Sequence, residues 1–372
     1  MMAEKAYAAV LTKERHFDYR DVDIPEIGPD EGLLRMEAAG LCGTDFDQFD
    51  GHFAGTVYGT LPMTPGHEIL GWIDRLGANA AKRWGVKEGD RVIVETSIPC
   101  GDCVPCQDDR PIFCDENMGY GIRLGFDRVP HLWGGYASHL YLHPKSRLHK
   151  VPADIPTDAM SLFNPLSNAV RWAAVKPNLK AGQTIVIEGP GQRGLLSVVV
   201  ARELGAEKII VTGTDADENR LKLARQFGAT ATINVEKEDP VERVLEITDG
   251  RKVDVVLDVS AGATDPVLQG IEMIRKGGTF IVAGVKTHNA LNNFYTDKLL
   301  FNEIAMLGVL SSDWSDTAKA VELLKAHWQE LKVLCTHAYP IGEAEKAVRV
   351  LGREIEDGGD PVHIYLDTTI AP

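Results

Sequence analysis

The 372-residue chain is expected to be an α/β protein with two architectures in one chain: a glycine-rich, β-rich first half, then a doubly wound parallel sheet. Three observations predict this. From about residue 180 onward, short apolar runs alternate with amphipathic helical stretches, the sequence form of strand–helix–strand crossovers. Residues 183–188 (Gln-Thr-Ile-Val-Ile-Glu) read as a buried strand and pass directly into Gly189-Pro190-Gly191-Gln192-Arg193-Gly194 and the apolar stretch 195–201. The strand-like first half encloses Cys100, Cys103, Cys106 and Cys114, spaced C-x2-C-x2-C-x7-C.

The four cysteines form the tetrahedral set of soft ligands that a structural zinc ion requires, with no position left open. Disulfides are the rival reading. The chain begins Met1-Met2-Ala3-Glu4-Lys5 with no apolar targeting segment, so a reduced, cytoplasmic protein is expected. Iron–sulfur ligation also takes four thiolates but with other spacings. A zinc ribbon on nucleic acid is opposed by charge: Lys+Arg number 39 against Asp+Glu 54, a formal net charge of -15. No nucleic-acid partner is expected. No stretch approaches the roughly 18 apolar residues of a membrane span, so no membrane partner is expected either.

The glycine motif stands between a strand and a helix, the context that the dinucleotide fingerprint demands. The first glycine permits the tight turn, the second lets backbone approach a pyrophosphate, and the third lets helix and strand pack closely. A plain glycine turn would need no third glycine at that offset. The next strand, 208–212, leads to Asp215, the candidate acid for the adenosine ribose, 21 residues beyond Gly194. Gly213 occupies the usual place of that acid, so Asp215 is open to the alternative of capping the helix around 218–226. No Arg or Lys lies between Thr212 and Asn219 to accept a 2'-phosphate, which favours NAD over NADP. Strand-like runs at 253–257, 279–283 and 304–309 complete the parallel sheet. Val259, Ser260, Ala283, Gly284 and Val285, at strand ends, are further cofactor candidates with Gly189, Gly191, Gln192, Arg193 and Gly194.

Two segments of the first half offer a reactive centre. Gly40-Leu41-Cys42-Gly43-Thr44-Asp45 carries a thiolate beside a hydroxyl and an acid, and Pro65-Gly66-His67-Glu68 carries an imidazole beside a carboxylate. Alone, Cys42 reads as a buried small residue and His67 as a structural histidine. Together they offer zinc the ligand types it prefers.

With these motifs in order, and with Asn164-Pro165-Leu166-Ser167 between them, the chain resembles the zinc-containing medium-chain alcohol and polyol dehydrogenases over essentially its whole length. The resemblance implies a GroES-like catalytic domain over 1–165, with the zinc lobe at about 97–117. A Rossmann domain over 166–311 and a segment 312–372 returning to the catalytic domain follow. It implies catalytic zinc at Cys42 and His67, with Glu68 an occasional ligand, Thr44 passing on the substrate proton and Asp45 orienting His67. Two zinc ions per chain, an alcohol or ketone substrate and a homodimer or homotetramer through the sheet edge near 293–309 are expected.

Two positions depart from the family pattern. Asn164 stands where polyol dehydrogenases carry Glu and other branches carry Cys or Asp; an amide oxygen can bind zinc but brings no charge. Either Glu68 completes the coordination, or zinc is held weakly. The histidine that commonly continues the proton relay is Asp47 here, for which Asp47 or His52 could substitute; both also read as exposed loop residues. Phe46, Phe49 and Phe53 are either an apolar substrate wall or core. A secondary alcohol or diol, oxidised to a ketone, is the expected substrate. The alternatives are a zinc-independent double-bond reductase of the same superfamily and a non-catalytic cofactor-binding protein. Trp133-Gly134-Gly135-Tyr136 reads as a tight turn into a strand, and Cys335 as a small core residue.

Overall fold

Alternating buried and exposed positions in the first half become strands, and the continuous apolar runs of the second half become a parallel sheet buried on both faces. The architecture is a computed structural model that describes residues 4–116, 118–287 and 289–370. Two units are formed: Met1–Asn164 with Ala320–Pro372, and Pro165–Lys319. In chain order the first stretch supplies β1 (Lys5–Lys13), β2 (His16–Asp23), β3 (Gly32–Leu41), β4 (Glu68–Leu76), β5 (Arg91–Val94), β6 (Ser97–Ile98), β7 (Met118–Gly119), β8 (His139–Leu142) and β9 (Leu148–Lys150). The middle stretch supplies β10 (Thr184–Glu188), β11 (Lys208–Gly213), β12 (Ala231–Asn234), β13 (Val253–Asp258), β14 (Ile274–Val282) and β15 (Ala305–Gly308). The last stretch adds β16 (Cys335–Tyr339) and β17 (His363–Asp367) to the first unit.

Among the described residues the first unit holds a seven-stranded sheet in the order β16-β17-β3-β4-β5-β9, with β8 also paired to β3. β3 is its centre: nine of its ten residues are buried, and it pairs antiparallel with β17, β4 and β8. The core beneath gathers Leu33, Leu34, Met36, Phe49, Met63, Tyr120, Trp133 and Tyr136 with Val348 and Ile364 from the last stretch. A buried bidentate pair, Arg91 to Glu37 at 2.9 and 2.6 Å, ties β5 to β3. Thr157 Oγ1 adds a donor to the same carboxylate at 2.6 Å, so neither charge is buried unpaired.

The second unit is the doubly wound α/β sheet expected, ordered β12-β11-β10-β13-β14-β15 and parallel throughout. All five residues of β10 are buried, as a central parallel strand requires. The chain steps outward from β10 to β12, then restarts beside β10 at β13 and steps the other way. This reversal opens a crevice at the C-terminal ends of β10 and β13. β15 closes the opposite margin as an edge strand, with none of its four residues fully buried. No helix among the described residues is long and apolar enough to cross a membrane.

Candidate active site

Residues 25 apart in the sequence meet because β3 and β4 are antiparallel neighbours with Gly40 opposite Glu68. Cys42 follows the end of β3 and His67 precedes the start of β4, so both leave the sheet at one end. Cys42 is then the N-cap of the helix Gly43–Phe49, and its backbone N–H donates to Asp45 Oδ2 at 2.8 Å in a capping box. Cys42 Sγ lies 3.3 Å from His67 Nε2. His67 Nδ1 faces Asp45 Oδ1 at 3.6 Å, and the His67 carbonyl accepts from Thr96 Oγ1 at 2.8 Å.

The donor set fits a metal. A tetrahedral ion at ~2.3 Å from sulfur and ~2.1 Å from nitrogen separates the two by about 3.6 Å. Cys42, Asp45 and His67 are all buried, with ligand atoms within 4.8 Å of one another. Burial opposes charge on His67, but the Asp45 carboxylate and Cys42 thiolate outweigh it and push the imidazole up to about 10. Burial lifts Asp45, against the pull of His67. The negative neighbours of His67 thus favour positive charge at this point of the site.

The other expected residues are distributed more unevenly. Glu68 is fully buried but is not a member of that three-residue group; its carboxylate folds over Gly40, where a Cβ would come within 2.3 Å of Oε2. Thr44 is half-buried in the first turn of the helix, and Asn164 is half-buried in the helix Phe163–Ala169. Asp47 and His52 do meet, at 3.0 Å, but His52 also reaches Asp50 at 3.1 Å and its side chain is 45% exposed. Phe49 is core, stacked on Phe17 at 5.9 Å. Phe46 packs against the first unit's own Gly352, and Phe53 lies on Tyr58 at 5.6 Å. Phe46 and Phe49 thus pack with one core, whereas Phe53 packs on Tyr58.

Cys100, Cys103, Cys106 and Cys114 converge, their ligand atoms within 4.8 Å of one another. Sulfur separations of 3.9 Å (Cys100–Cys106) and 4.0 Å (Cys103–Cys114) are near the ~3.8 Å of thiolates on one tetrahedral ion. Backbone N–H groups of Cys103 and Asp102 aimed at Cys100 Sγ bring that thiol down to about 7, whereas burial among the other sulfurs lifts Cys106 to about 12. This convergence of four sulfurs fits a tetrahedral cation that they would hold as thiolates. Cys335 donates to the Asp158 carbonyl at 3.0 Å, away from both groups.

In the second unit the three glycines of the motif have different surroundings. Gly189 adopts φ +104°, and a Cβ on Gly194 would stand 2.0 Å from the Gly189 carbonyl. At Gly191, the N-cap of the helix Gln192–Glu203, a Cβ would meet nothing within 4 Å. The first turn of that helix carries no acid, so its N-terminus suits an anion. Arg193 lies over Trp172 at 5.6 Å. Val259 donates to the Glu188 carbonyl at 3.0 Å, Ala283 and Gly284 both donate to the Asp258 carbonyl at 2.9 Å, and Val285 is exposed. Ser260 sits between Gly189 and Gly284, whose Cβ would meet its carbonyl at 1.9 Å.

Asp215 is exposed and engaged: Lys237 Nζ lies 2.5 Å and Asn234 Nδ2 2.7 Å from its carboxylate. Thr214 with Asp217 caps the short turn Asp215–Asp217, and the N-cap residue of the helix Glu218–Gln226 is Asp217, not Asp215. Lys237 was invisible to a search for cations near Asp215 in the sequence, yet Gly213 pairs with Asn234 in adjacent parallel strands, which brings the two following loops together. The buried acids Glu188 and Asp258, paired in register, and the Lys286 amine 2.7 Å from Asp258 were likewise not anticipated. An acid ending an otherwise apolar buried strand was the available signal.

Residues 28–153 match the family described as alcohol dehydrogenase GroES-like domain, and residues 194–326 match the zinc-binding dehydrogenase family. A Mycobacterium tuberculosis protein designated "probable alcohol dehydrogenase" is 37% identical over 361 residues, 96% of each chain. An L-threonine 3-dehydrogenase of Bacillus subtilis is 32% identical over 352 residues, 94% of each. A Sinorhizobium meliloti protein described as a zinc-binding dehydrogenase, bound to NADP, superposes with a TM-score of 0.85 at 26% identity, covering 98% of this chain and 99% of the other.

Proposed function

The chain belongs to the zinc-containing medium-chain dehydrogenases, oxidoreductases acting on CH–OH groups, and from that premise we propose that it interconverts a secondary alcohol or diol and its ketone, with NAD and two zinc ions per chain. The observation that carries this reading is the 3.3 Å approach of Cys42 Sγ to His67 Nε2, with Nδ1 turned toward Asp45. A zinc ion held by Cys42 and His67, with Glu68 or Asn164 completing the set, would supply the Lewis acidity that lets a hydroxyl ionise near neutral pH.

The chain's own residues then have definite tasks. Asp45 faces His67 Nδ1 at 3.6 Å, where its carboxylate would hold the proton on Nδ1 and leave the Nε2 lone pair for the metal. The Cys42 thiolate brings the negative charge that Asn164 cannot. Thr44, in the same first turn, relays the hydroxyl proton, passing its own on as it accepts, and Asp47 or His52 carries it to solvent. Gly191 leaves room for the cofactor pyrophosphate, and Asp215 takes the adenosine ribose, its acidity favouring NAD. The net reaction converts a secondary alcohol and oxidised NAD into the ketone, NADH and one released proton. Zinc in the four-cysteine lobe is structural. A secondary-alcohol substrate is supported by the threonine dehydrogenase among the relatives.

Self-association through β15 is part of the proposal: Tyr295 (63%), Leu300 (70%) and Phe301 (74%) are exposed beside that open edge. The unbridged cysteines support a cytoplasmic location.

NADH formation from a panel of secondary alcohols, diols and polyols, run with zinc counting, tests the reading. Activity should vanish with chelator and in Cys42→Ser. No turnover on any alcohol, with chelator-resistant reduction of an activated double bond by NADH or NADPH, would favour the zinc-independent reductase instead.

A further inference from the structure

Tyr136 belongs to a segment whose sequence reads only as a turn, yet its surroundings are those of the metal cluster. The side chain is fully buried. Its ring lies on Gly66, the residue before His67: Gly66 adopts φ +93°, and a Cβ there would come within 2.4 Å of Tyr136 Cδ1. Two backbone hydrogen bonds dock the same segments, Gly135 N–H to the Gly66 carbonyl at 2.8 Å and Tyr136 N–H to the Pro65 carbonyl at 2.9 Å. The turn is therefore a template for the loop that delivers His67.

The far end of the ring is the more telling part. Tyr136 Oη, Asp45 Oδ1 and His67 Nδ1 are each buried and each lack a hydrogen bond of good geometry. The phenol and the Asp45 carboxylate are close enough to interact, and His67 Nδ1 stands 3.6 Å from Oδ1. Asp45 Oδ2 is already used by the Cys42 N–H. What remains is two donors, the phenol O–H and the imidazole N–H, around one carboxylate oxygen that can accept both. Small shifts close both bonds, and buried polar groups are rarely left open.

We propose that Tyr136 is a positioning residue of the metal centre: its hydroxyl donates to Asp45 Oδ1 beside His67 Nδ1–H, completing a buried chain from Tyr136 through Asp45 to His67. The inference rests on the reading of Cys42 and His67 as metal ligands. A phenylalanine would fill the same space as the ring, so only the hydroxyl distinguishes this role from core packing.

Tyr136→Phe isolates that hydroxyl. Zinc dissociation constants for both sites are measured by competition with a chromophoric chelator in wild type, Tyr136→Phe, Asp45→Asn and the double variant, with thermal unfolding alongside. The expected result is a roughly 10- to 100-fold weaker second zinc in Tyr136→Phe, with the cysteine-lobe zinc unchanged and the double variant no weaker than Asp45→Asn alone. The visible spectrum of the cobalt-substituted protein should shift in Tyr136→Phe, because the imidazole is reoriented. Wild-type affinity at both sites, or a loss that simply adds to that of Asp45→Asn, overturns the role of Tyr136. A wild-type protein holding only the cysteine-lobe zinc would instead remove the premise, and the proposal with it.

Discussion

Gly191→Ala should leave the fold nearly untouched and abolish tight cofactor binding, whereas Gly194→Ala should damage the fold first. At Gly191 the backbone is at φ -69°, ψ -179°, which any residue adopts, and an added Cβ would meet nothing within 4 Å. Reduced unfolded-chain entropy stabilises an alanine there by about 0.4–1 kcal/mol. Loss of a favourable N-cap residue offsets this by a similar amount, so the net change stays within about 1 kcal/mol. The empty space is where a pyrophosphate must approach the helix N-terminus, so the methyl should weaken NADH at least tenfold, about 1.4 kcal/mol or more. At Gly194 the Cβ would lie 2.0 Å from the Gly189 carbonyl, a rigid backbone atom. Overpacking of this kind costs about 1–3 kcal/mol. Urea unfolding and NADH fluorescence titration measure the two effects separately. Wild-type NADH affinity in a well-folded Gly191→Ala would refute the assignment of that space to the cofactor.

Glu188→Gln should stabilise the protein increasingly as pH rises. Burial, then Asp258, raise the Glu188 carboxyl well above its ordinary 4.5, with Lys286 opposing; the folded state thus holds a proton that the unfolded chain releases. Wild-type stability should therefore fall as pH climbs from about 4.5 toward the folded value, by at most ~1.4 kcal/mol per unit. Glutamine should remove that slope in urea titrations, and an unchanged slope would count against the buried-proton account. Asp215→Ala releases Lys237, so the ratio of kcat/KM for NAD to that for NADP should drop several-fold; steady-state kinetics with both cofactors decide it. Phe301→Glu, a change to an exposed side chain, should yield a smaller particle by sedimentation at unchanged thermal stability, and an unaltered mass would exclude this edge as the interface.

How much of this was legible depended on whether neighbours in space are neighbours in sequence. The glycine motif reads clearly because strand, turn and helix are contiguous, and the four cysteines because fifteen residues enclose them. Cys42 and His67 required the resemblance: alone, each has a bland interpretation, and only the pairing of Gly40 with Glu68 brings them to one end of the sheet. Lys237 escaped for the same reason, since a scan along the chain near Asp215 does not see the register of β11 with β12. Tyr136 escaped because a buried hydroxyl looks like any other aromatic until its surroundings are known. The phenylalanines after Cys42 stay open in the sequence between a substrate wall and core, because spacing alone does not show that Phe46 and Phe49 pack into the core of the first unit.

The placement of β17 sets an order of events during synthesis. Leu41, the residue before Cys42, pairs with Ile364, so the strand that ends at the thiol lacks one flank until residues 363–367 have left the ribosome. The cofactor unit, by contrast, is one uninterrupted stretch, Pro165–Lys319, able to fold while the rest is still being made. Its maturation can run ahead; the flank of β3 beside Cys42 waits for β17. A chain clipped before residue 363 would keep the β3–β4 pairing that brings Cys42 to His67 but would leave Ala38–Leu41 without its β17 flank, loosening the strand that carries the thiol.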